Sequence, residues 1–241
     1  AIRDVLEALG LPYVGSTPAA ARRAFAKPVA SGLVRAAGVA VPESVALPHA
    51  TFRELGAGAV LDAVVARLGL PLMVKPTRGG SSLGCTVVRA AEDLPAAMVA
   101  AFAYGDTAMI ERFVEGTEVA ISVVEDAAGP RSLPVVEIAA DGGWYDYGAR
   151  YTAGATEFFV PARLPEATLA ACAELALTVH RTLGLRDWSR SDVIVDADGT
   201  PWFLEVNVAP GMTETSTYPQ AVAASGTDLG SLTAALVEQA L

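Results

Sequence analysis

The segment from Arg190 to Asn207 carries the side chains best suited to chemistry. Its Asp198-Gly199 dipeptide is typical of a two-residue turn that joins the two strands of a hairpin. Counting outward from that turn gives the facing pairs Asp192 with Glu205, Arg190 with Asn207, and Ile194 with Phe203. Because side chains alternate along a strand, the four polar members of these pairs are predicted to share one side of the sheet.

Two carboxylates that face each other in this way need a cation between them. Their Cβ atoms are expected to lie roughly 5 Å apart, where like charges repel. Oxygen donors from Asp192, Glu205 and Asn207 suit Mg²⁺, which bridges protein carboxylates and nucleotide phosphates. The neighbouring Arg190 is suited to a phosphate or a developing oxyanion. The alternative is the exposed polar face of an ordinary hairpin.

A second feature is the segment 74–84, with the sequence VKPTRGGSSLG. Lys75 ends an apolar run that predicts a buried strand, and a loop rich in glycine and serine follows. Backbone N–H groups in such a loop can surround phosphate oxygens, and the hydroxyl groups add donors. The loop is not a Walker A motif, because no Gly-Lys-Ser/Thr closes it. The alternative is a surface turn, which a neighbouring Mg²⁺ site makes the weaker interpretation.

Three further segments have the residues to complete a nucleotide site. Residues 109–118 combine apolar strand formers with carboxylates, and such a segment between two domains can offer backbone groups to adenine and a carboxylate to ribose. Residues 145–159 place Arg150 and Tyr151 in the longest predicted loop, as a lid over phosphates requires. Residues 207–216 directly follow the predicted metal ligands and carry glycine and hydroxyl groups. Taken alone, each segment also fits an ordinary edge strand or surface loop.

The elements that position these groups combine strands with flanking helices. The predicted helices are 2–9, one that begins at Pro18, 28–37, 58–68, 92–102, 165–184, 219–225 and 228–240. The predicted strands are 70–75, 85–88, 108–114, 118–125, 133–138 and the two arms of the hairpin. This order favours an α+β fold with mixed or antiparallel sheets.

Composition excludes several classes of protein. The 241 residues are 52% hydrophobic and 18% charged, which excludes bulk disorder. The formal net charge of −10 argues against a nucleic-acid partner, although a small cationic pocket for ATP is compatible with it. No apolar run reaches the roughly 18–20 residues of a membrane span, so no membrane partner is expected. The two cysteines form neither a disulfide framework nor a zinc pattern, and we expect a cytoplasmic protein.

Five motifs, in this order, resemble those of D-alanine–D-alanine ligases of the ATP-grasp superfamily: GLPYVGS, KPTRGGSSLG, YDYGARY, RSD and EVNVAPGMT. The resemblance covers essentially the whole chain. It implies an ATP-grasp fold in which two α+β domains sandwich ATP, and it implies ATP-dependent joining of two D-alanines through an acyl phosphate for peptidoglycan synthesis. The implied domains are a remnant of an N-terminal α/β domain at 1–18, a central ATP-grasp domain at 19–115 and a C-terminal catalytic domain at 116–241.

The resemblance also implies a role for individual residues. The implied ATP contacts are Lys27, Lys75, Ser81, Ser82, Glu111, Arg112, Phe113, Val114, Glu118 and Arg150. The implied ligands of two Mg²⁺ ions, with Mn²⁺ as a substitute, are Asp192, Glu205 and Asn207. The implied groups around the reacting atoms are Arg190 and the Gly211 N–H for the oxyanion, Ser81 and Tyr151 for the lid contact, and Ser216 for the carboxylate of the second substrate.

Some positions depart from the family's pattern. Gly79 and Gly148 replace usual glutamates, and Thr217 stands where leucine is common. The second substrate is therefore open among D-alanine, D-lactate, D-serine and another amino acid. The family's opening segment is not present in these residues, which keeps a nucleotide-binding pseudoenzyme as a further alternative. The sequence also leaves a homodimer open.

Overall fold

The computed structural model describes residues 2–140 and 156–241, which form two antiparallel sheets flanked by helices. The helices are α1 (Ile2–Ala8), α2 (Pro18–Phe25), α3 (Lys27–Ala36), α4 (His49–Leu55), α5 (Ala57–Leu68), α6 (Leu94–Phe102), α7 (Glu166–Thr182), α8 (Thr217–Ala224) and α9 (Leu229–Ala240). The strands are β1 (Ser44–Pro48), β2 (Leu72–Pro76), β3 (Thr86–Val88), β4 (Thr107–Arg112), β5 (Thr117–Asp126), β6 (Gly129–Ser132), β7 (Val136–Ala140), β8 (Thr156–Phe159), β9 (Trp188–Val195) and β10 (Pro201–Asn207). The predicted α+β class is confirmed.

The four-stranded sheet has the strand order β1-β4-β2-β3. Its central strand β2 is buried at every position, because the apolar faces of α5 and α6 pack against the sheet. Leu72 and Val74 lie in that core, whereas Lys75 follows them at the end of the same strand. The strand therefore runs through an apolar core and places a lysine near its own end.

The six-stranded sheet has the order β10-β9-β5-β7-β8, with β6 paired to β5. Its central strand β5 alternates between two cores, as the period of two requires. Val119, Ile121 and Val123 face the core that contains α7. Ala120 and Val124 face the opposite core, which contains α8 and α9. Each face of this sheet thus packs against a helical layer of its own.

Helices α2 and α3 precede the four-stranded sheet in the chain but pack on the six-stranded sheet. Ala20, Ala24, Ala30 and Val34 share one core with β5, β9 and β10. The start of α2 follows the predicted signal, since the Thr17 hydroxyl accepts the Ala20 N–H at 3.3 Å and proline takes the first helical position. The domain boundaries near 18 and 115 stay a prediction.

The turn of the β9–β10 hairpin is longer than predicted. Val195 pairs with Pro201, so three residues, 197–199, form the turn instead of Asp198 and Gly199 alone. Gly199 adopts a φ of 80°, a left-handed conformation that glycine takes without strain. The predicted two-residue turn is therefore wrong, and the register near the turn is displaced by one residue.

A β-bulge between Phe203 and Glu205 reverses that displacement. The observed pairs beyond it are Asp192 with Glu205 and Arg190 with Asn207, which confirms the predicted pairing at the polar end. The predicted Ile194–Phe203 pair is wrong, since Ile194 faces Trp202. The extra residue also lets Phe203 face the core while Glu205 faces the opposite side.

Several elements arise where the sequence predicted none. Strand β1 and helix α4 form within residues 44–55, and β6 and β8 extend the second sheet at its margins. These strands have only four or five residues, so the periodicity signal is weak. Among the described helices, none combines the length and the apolar character that crossing a membrane requires.

Candidate active site

Two adjoining cavities of about 530 and 590 Å³ meet along the end of β10. The first lies between the two sheets, and the second continues toward residues 208–217. Every described residue of the predicted site lines at least one of them. The first is lined by Lys75, Ser82, Glu111, Arg112, Phe113, Val114 and Glu118, the second by Ser81, Arg190, Asn207, Gly211 and Ser216, and both by Lys27, Asp192 and Glu205.

Lys75 and Glu111 form a buried ion pair in the wall of the first cavity. The Lys75 Nζ lies 2.6 Å from the Glu111 Oε1, and both side chains are less than a tenth exposed. Burial lowers the pKa of Lys75, but Glu111 and Glu205 outweigh that effect and hold the pKa above its usual value. Glu111, which the resemblance counts among the ATP contacts, therefore keeps the ammonium group charged and fixed in place.

Lys27 connects the glycine- and serine-rich loop, residues 77–84, to the end of β10. Its Nζ lies 2.9 Å from the Glu205 Oε2 and donates to the Gly79 carbonyl at 2.9 Å. Its backbone N–H donates to the Thr77 carbonyl at 3.0 Å. Burial raises the pKa of Glu205, but the cations Lys27, Lys75 and Arg190 outweigh it and hold the pKa below its usual value. Glu205 is thus an ionised oxygen donor.

Arg190 and Asp192 lie two residues apart on the same face of β9 and form a two-pronged ion pair. The Arg190 Nε donates to the Asp192 Oδ1 at 2.7 Å, and its Nη2 donates to the Oδ2 at 2.8 Å. Two parallel bonds fix the plane of the guanidinium group. Asn207 lies opposite Arg190, and its Oδ1 accepts the Ala209 N–H at 2.9 Å. The amide oxygen is therefore held in one orientation.

The loop 77–84 adopts an unusual backbone. Ser81 and Ser82 have φ values of 55° and 56°, in the left-handed region where non-glycine residues are uncommon. Gly84 has a φ of 71°, and a Cβ atom there would lie 2.6 Å from the Tyr104 ring. Strain of this kind persists only where the surroundings impose it, and it concentrates at binding sites.

The segment that leaves β4 forms another wall of the first cavity. Arg112, Phe113 and Val114 lie there, with Glu118 at the start of β5. The Arg112 N–H donates to the Glu43 carbonyl at 2.9 Å, and the Phe113 N–H donates to the Pro71 carbonyl at 3.1 Å. These two N–H groups already have acceptors within the protein. A ligand must therefore bind to other atoms of the segment.

Gly211 and Ser216 lie together at the far end of the second cavity. A Cβ atom on Gly211 would lie 2.6 Å from the Ser216 Oγ, so only glycine fits there without a shift. The Ser216 hydroxyl is 2.8 Å from the Thr213 hydroxyl and precedes the first turn of α8. The chain thus brings a hydroxyl, a glycine backbone and a helix N-terminus to one place.

Comparison with known proteins identifies the family. Residues 33–238 match the family model described as "D-ala D-ala ligase C-terminus". The D-alanine–D-alanine ligase of Bordetella petrii is 38% identical over 239 residues, which cover 99% of this chain and 71% of the relative. The chain belongs to the D-alanine–D-alanine ligase family. This confirms the resemblance that the five sequence motifs indicated.

Solved structures of this family have the same fold. The VanG D-Ala:D-Ser ligase from Enterococcus faecalis superposes with a TM-score of 0.89 at 29% identity, covering all of this chain and 68% of that one. The D-alanine–D-alanine ligase from Bacillus anthracis, in a structure complexed with ATP, superposes with a TM-score of 0.81 at 26% identity, covering 99% of this chain and 74% of that one. The ATP-grasp fold is therefore confirmed.

Sequence reasoning missed the apolar lining of the first cavity. Met73, Ile194 and Leu204 contribute to it, and Cys85 lies beside them. Two of them had a signal in the alternation along a strand: Met73 lies two residues before Lys75 on β2, and Ile194 lies two residues beyond Asp192 on β9. Leu204 had none, because the bulge turns it toward the cavity. Burial raises the pKa of the Cys85 thiol, which keeps it neutral at pH 7.

Two predicted site residues, Arg150 and Tyr151, lie outside the described residues, and their roles stay predictions. Within residues 2–140 and 156–241, no group of three or more His, Cys, Asp or Glu side chains is placed to hold a metal. The predicted metal set instead combines two carboxylates with an amide oxygen. These are hard oxygen donors, and they fit Mg²⁺ rather than a thiolate- or imidazole-preferring metal.

Proposed function

We propose that this chain joins two D-alanines in an ATP-dependent reaction that yields D-alanyl-D-alanine, ADP and phosphate for peptidoglycan synthesis. The proposal rests on one observation: three cations and a set of oxygen donors line the same continuous cleft. The cations are Lys27, Lys75 and Arg190, and the donors are Asp192, Glu205 and Asn207. This arrangement suits phosphoryl transfer, in which catalysis consists mainly of positioning and charge stabilisation.

The first cavity is the proposed nucleotide site. Met73, Ile194 and Leu204 give it apolar walls that suit an adenine ring, and Glu118 is placed for ribose hydroxyls. Lys75 lies deeper, at the end of β2, and Lys27 lies where the two cavities meet. We assign both ammonium groups, together with the loop 77–84, to the phosphates. Because Lys27 lies where the two cavities meet, we assign the γ-phosphate to a position beside the second cavity, which is the proposed site of the carboxylate substrate.

Asp192, Glu205 and Asn207 are the proposed holders of Mg²⁺. When bound, Mg²⁺ offsets the charge of the phosphate oxygens and so favours transfer. The ionised state of Glu205 and the fixed amide of Asn207 prepare both side chains for that role. Cysteine and histidine take no part in this donor set.

The proposed reaction has two steps. An oxygen of the first D-alanine carboxylate attacks the γ-phosphorus, and the bond to the bridging oxygen of ADP breaks, which leaves an acyl phosphate. The amine lone pair of the second D-alanine then attacks the carbonyl carbon. Arg190 and the Gly211 N–H donate hydrogen bonds to the carbonyl oxygen and stabilise the negative charge that develops on it. Collapse of this adduct expels phosphate, the amine loses a proton, and the peptide bond is formed.

The second cavity is the proposed site of the two amino acids. Ser216 is placed to donate a hydrogen bond to the carboxylate of the acceptor, and the α8 N-terminus favours the same negative charge. Thr217 also lines this cavity, and its buried hydroxyl has no hydrogen-bond partner among the described residues. Since the VanG relative is a D-Ala:D-Ser ligase, D-serine is the second acceptor to test.

The test is product mass spectrometry combined with a phosphate-release assay. The purified protein is supplied with ATP, Mg²⁺ and D-alanine, and D-serine and D-lactate are then added in competition. We expect the mass of D-alanyl-D-alanine and one phosphate for each dipeptide, with L-alanine as the inactive control. Saturating nucleotide binding without any ligated product from this panel refutes the proposal and favours the pseudoenzyme alternative.

A further inference from the structure

Both proposed metal carboxylates are already paired with a cation of the chain. The Lys27 Nζ lies 2.9 Å from the Glu205 Oε2. Arg190 holds both oxygens of Asp192, at 2.7 and 2.8 Å. Each pair is formally neutral, so the two carboxylates together present no excess negative charge to an incoming dication.

These pairs are shielded from water. The exposed fraction is 8% for the Lys27 side chain, 13% for Arg190 and 6% for Asp192, and only Glu205 reaches 28%. Charges in such positions are screened by salt much less than surface charges are. A free dication that approaches Glu205 is therefore repelled by an ammonium group only a few ångströms from its binding oxygen, at a distance where charge interactions are worth more than in bulk water.

Lys27 is the cation that can change partners. Two of its contacts are to acceptors of different strength: the Glu205 carboxylate and the neutral Gly79 carbonyl. An ammonium group is a compact charge on a flexible stem with three donors, whereas the Arg190 guanidinium is fixed in a planar, two-bond arrangement. A nucleoside triphosphate brings several negative charges to the same place. It can therefore draw the ammonium group away from Glu205 and expose an ionised metal ligand.

We propose that Lys27 is an internal counter-ion of the metal site, so that the protein takes up its divalent cation together with the nucleotide and binds the free cation weakly. Arg190 plays the same part for Asp192 but stays in place when nucleotide arrives. This inference rests on the metal assignment within the proposed function. It gives Lys27 two roles: its ammonium group attracts the phosphates of the nucleotide, and it repels the free metal ion.

The test is a titration of free Mn²⁺, followed by electron paramagnetic resonance, on the nucleotide-free protein and two variants. Lys27→Met removes the proposed counter-ion. Arg67→Met removes one positive charge from an exposed pair with Glu43, away from both cavities, and is the matched control. We expect Lys27→Met to bind Mn²⁺ at least tenfold more tightly than the wild type, and Arg67→Met to match the wild type.

The same Lys27→Met protein should bind a non-hydrolysable ATP analogue at least tenfold more weakly, because the phosphates lose a cation. A purely structural role for Lys27 would weaken both ligands together. Equal or weaker Mn²⁺ binding by folded Lys27→Met overturns the inference. Lys27→Gln, which keeps a polar group beside Gly79, gives the same comparison if the methionine variant melts below the assay temperature.

The double variant Lys27→Met/Glu205→Gln locates the extra Mn²⁺. If the double variant no longer binds Mn²⁺ more tightly than the wild type, the extra binding in Lys27→Met occurs at the Glu205 carboxylate, as we propose. If the tighter Mn²⁺ binding persists, the inference is overturned. Product formation by the wild type is a separate measurement. If no dipeptide forms but the Mn²⁺ gain appears, the proposed reaction fails and the counter-ion role stands. If dipeptide forms without the gain, only the counter-ion role fails.

Discussion

Removing the buried ammonium group of Lys75 should destabilise the fold far more than removing an exposed cation. The Lys75 and Glu111 side chains are 7% and 5% exposed and lie 2.6 Å apart. Lys75→Met strands the Glu111 charge in the protein interior, and breaking a buried pair from one side costs about 3–5 kcal/mol. Because domains are stable by only about 5–15 kcal/mol, this loss is a large fraction of the total.

A double-mutant cycle isolates the pair. Adding Glu111→Gln to Lys75→Met removes the stranded charge, so the double variant should recover about 2 kcal/mol or more relative to the sum of the single changes. Arg67→Met is again the control, since Arg67 and Glu43 also form a close pair but are 65% and 45% exposed. Its expected cost is below about 1 kcal/mol.

Urea denaturation followed by circular dichroism measures the free energy of unfolding for each variant. The reasoning predicts a large cost for Lys75→Met, a small cost for Arg67→Met and non-additivity in the double variant. Equal costs for the two single variants, or simple additivity in the cycle, would refute the claim that burial decides the strength of these pairs.

Three more predictions follow from single contacts. Gly116→Ala would put a Cβ 2.0 Å from the Val195 carbonyl oxygen and should lower the melting temperature sharply, whereas Gly58→Ala, with open space around it in α5, should preserve or raise it. Burial lowers the pKa of His180 although Glu125 acts in the opposite direction, so the unfolded chain binds the proton more tightly than the folded chain does. In urea denaturation, the free energy of unfolding should therefore fall as the pH drops below about 6.5. The fall should be smaller in His180→Gln. Glu205→Gln should lower phosphate release by orders of magnitude while the protein stays folded, and near-normal turnover would contradict its metal role.

Local signals in the sequence were sufficient for the polar end of the hairpin and for the buried strand that leads into the loop 77–84. Alternation along β9 placed Arg190 and Asp192 on one face, and the run before Lys75 predicted a buried strand. The pairing of Asp192 with Glu205 was right although the turn was wrong. An extra residue in the turn and an extra residue in the bulge cancel, and pattern reasoning detects neither of them.

Sequence reasoning could not predict the Lys27–Glu205 and Lys75–Glu111 ion pairs. Lys27 pairs with a carboxylate 178 positions further along the chain, and nothing local to either residue indicates the other. Lys75 and Glu111 are closer in sequence, but their contact depends on the antiparallel register of β2 and β4. His180 is a similar case, because its ring contacts Ser189 at 2.8 Å and Glu125 at 3.3 Å, and these partners lie on two different strands, β9 and β5.

The position of Lys27 depends on residues that do not line the cleft. Helix α3 begins at Lys27, and Ala30 and Val34 bury its other face against the six-stranded sheet together with Ala20 of α2. Small side chains let these helices approach β10 closely enough for the ammonium group to reach Glu205. Enlarging one of the alanines would therefore push α3 outward and lengthen the Lys27–Glu205 contact, because a close-packed core transmits added volume as backbone displacement. The charge balance at the proposed metal site therefore depends on the packing of the core behind α3.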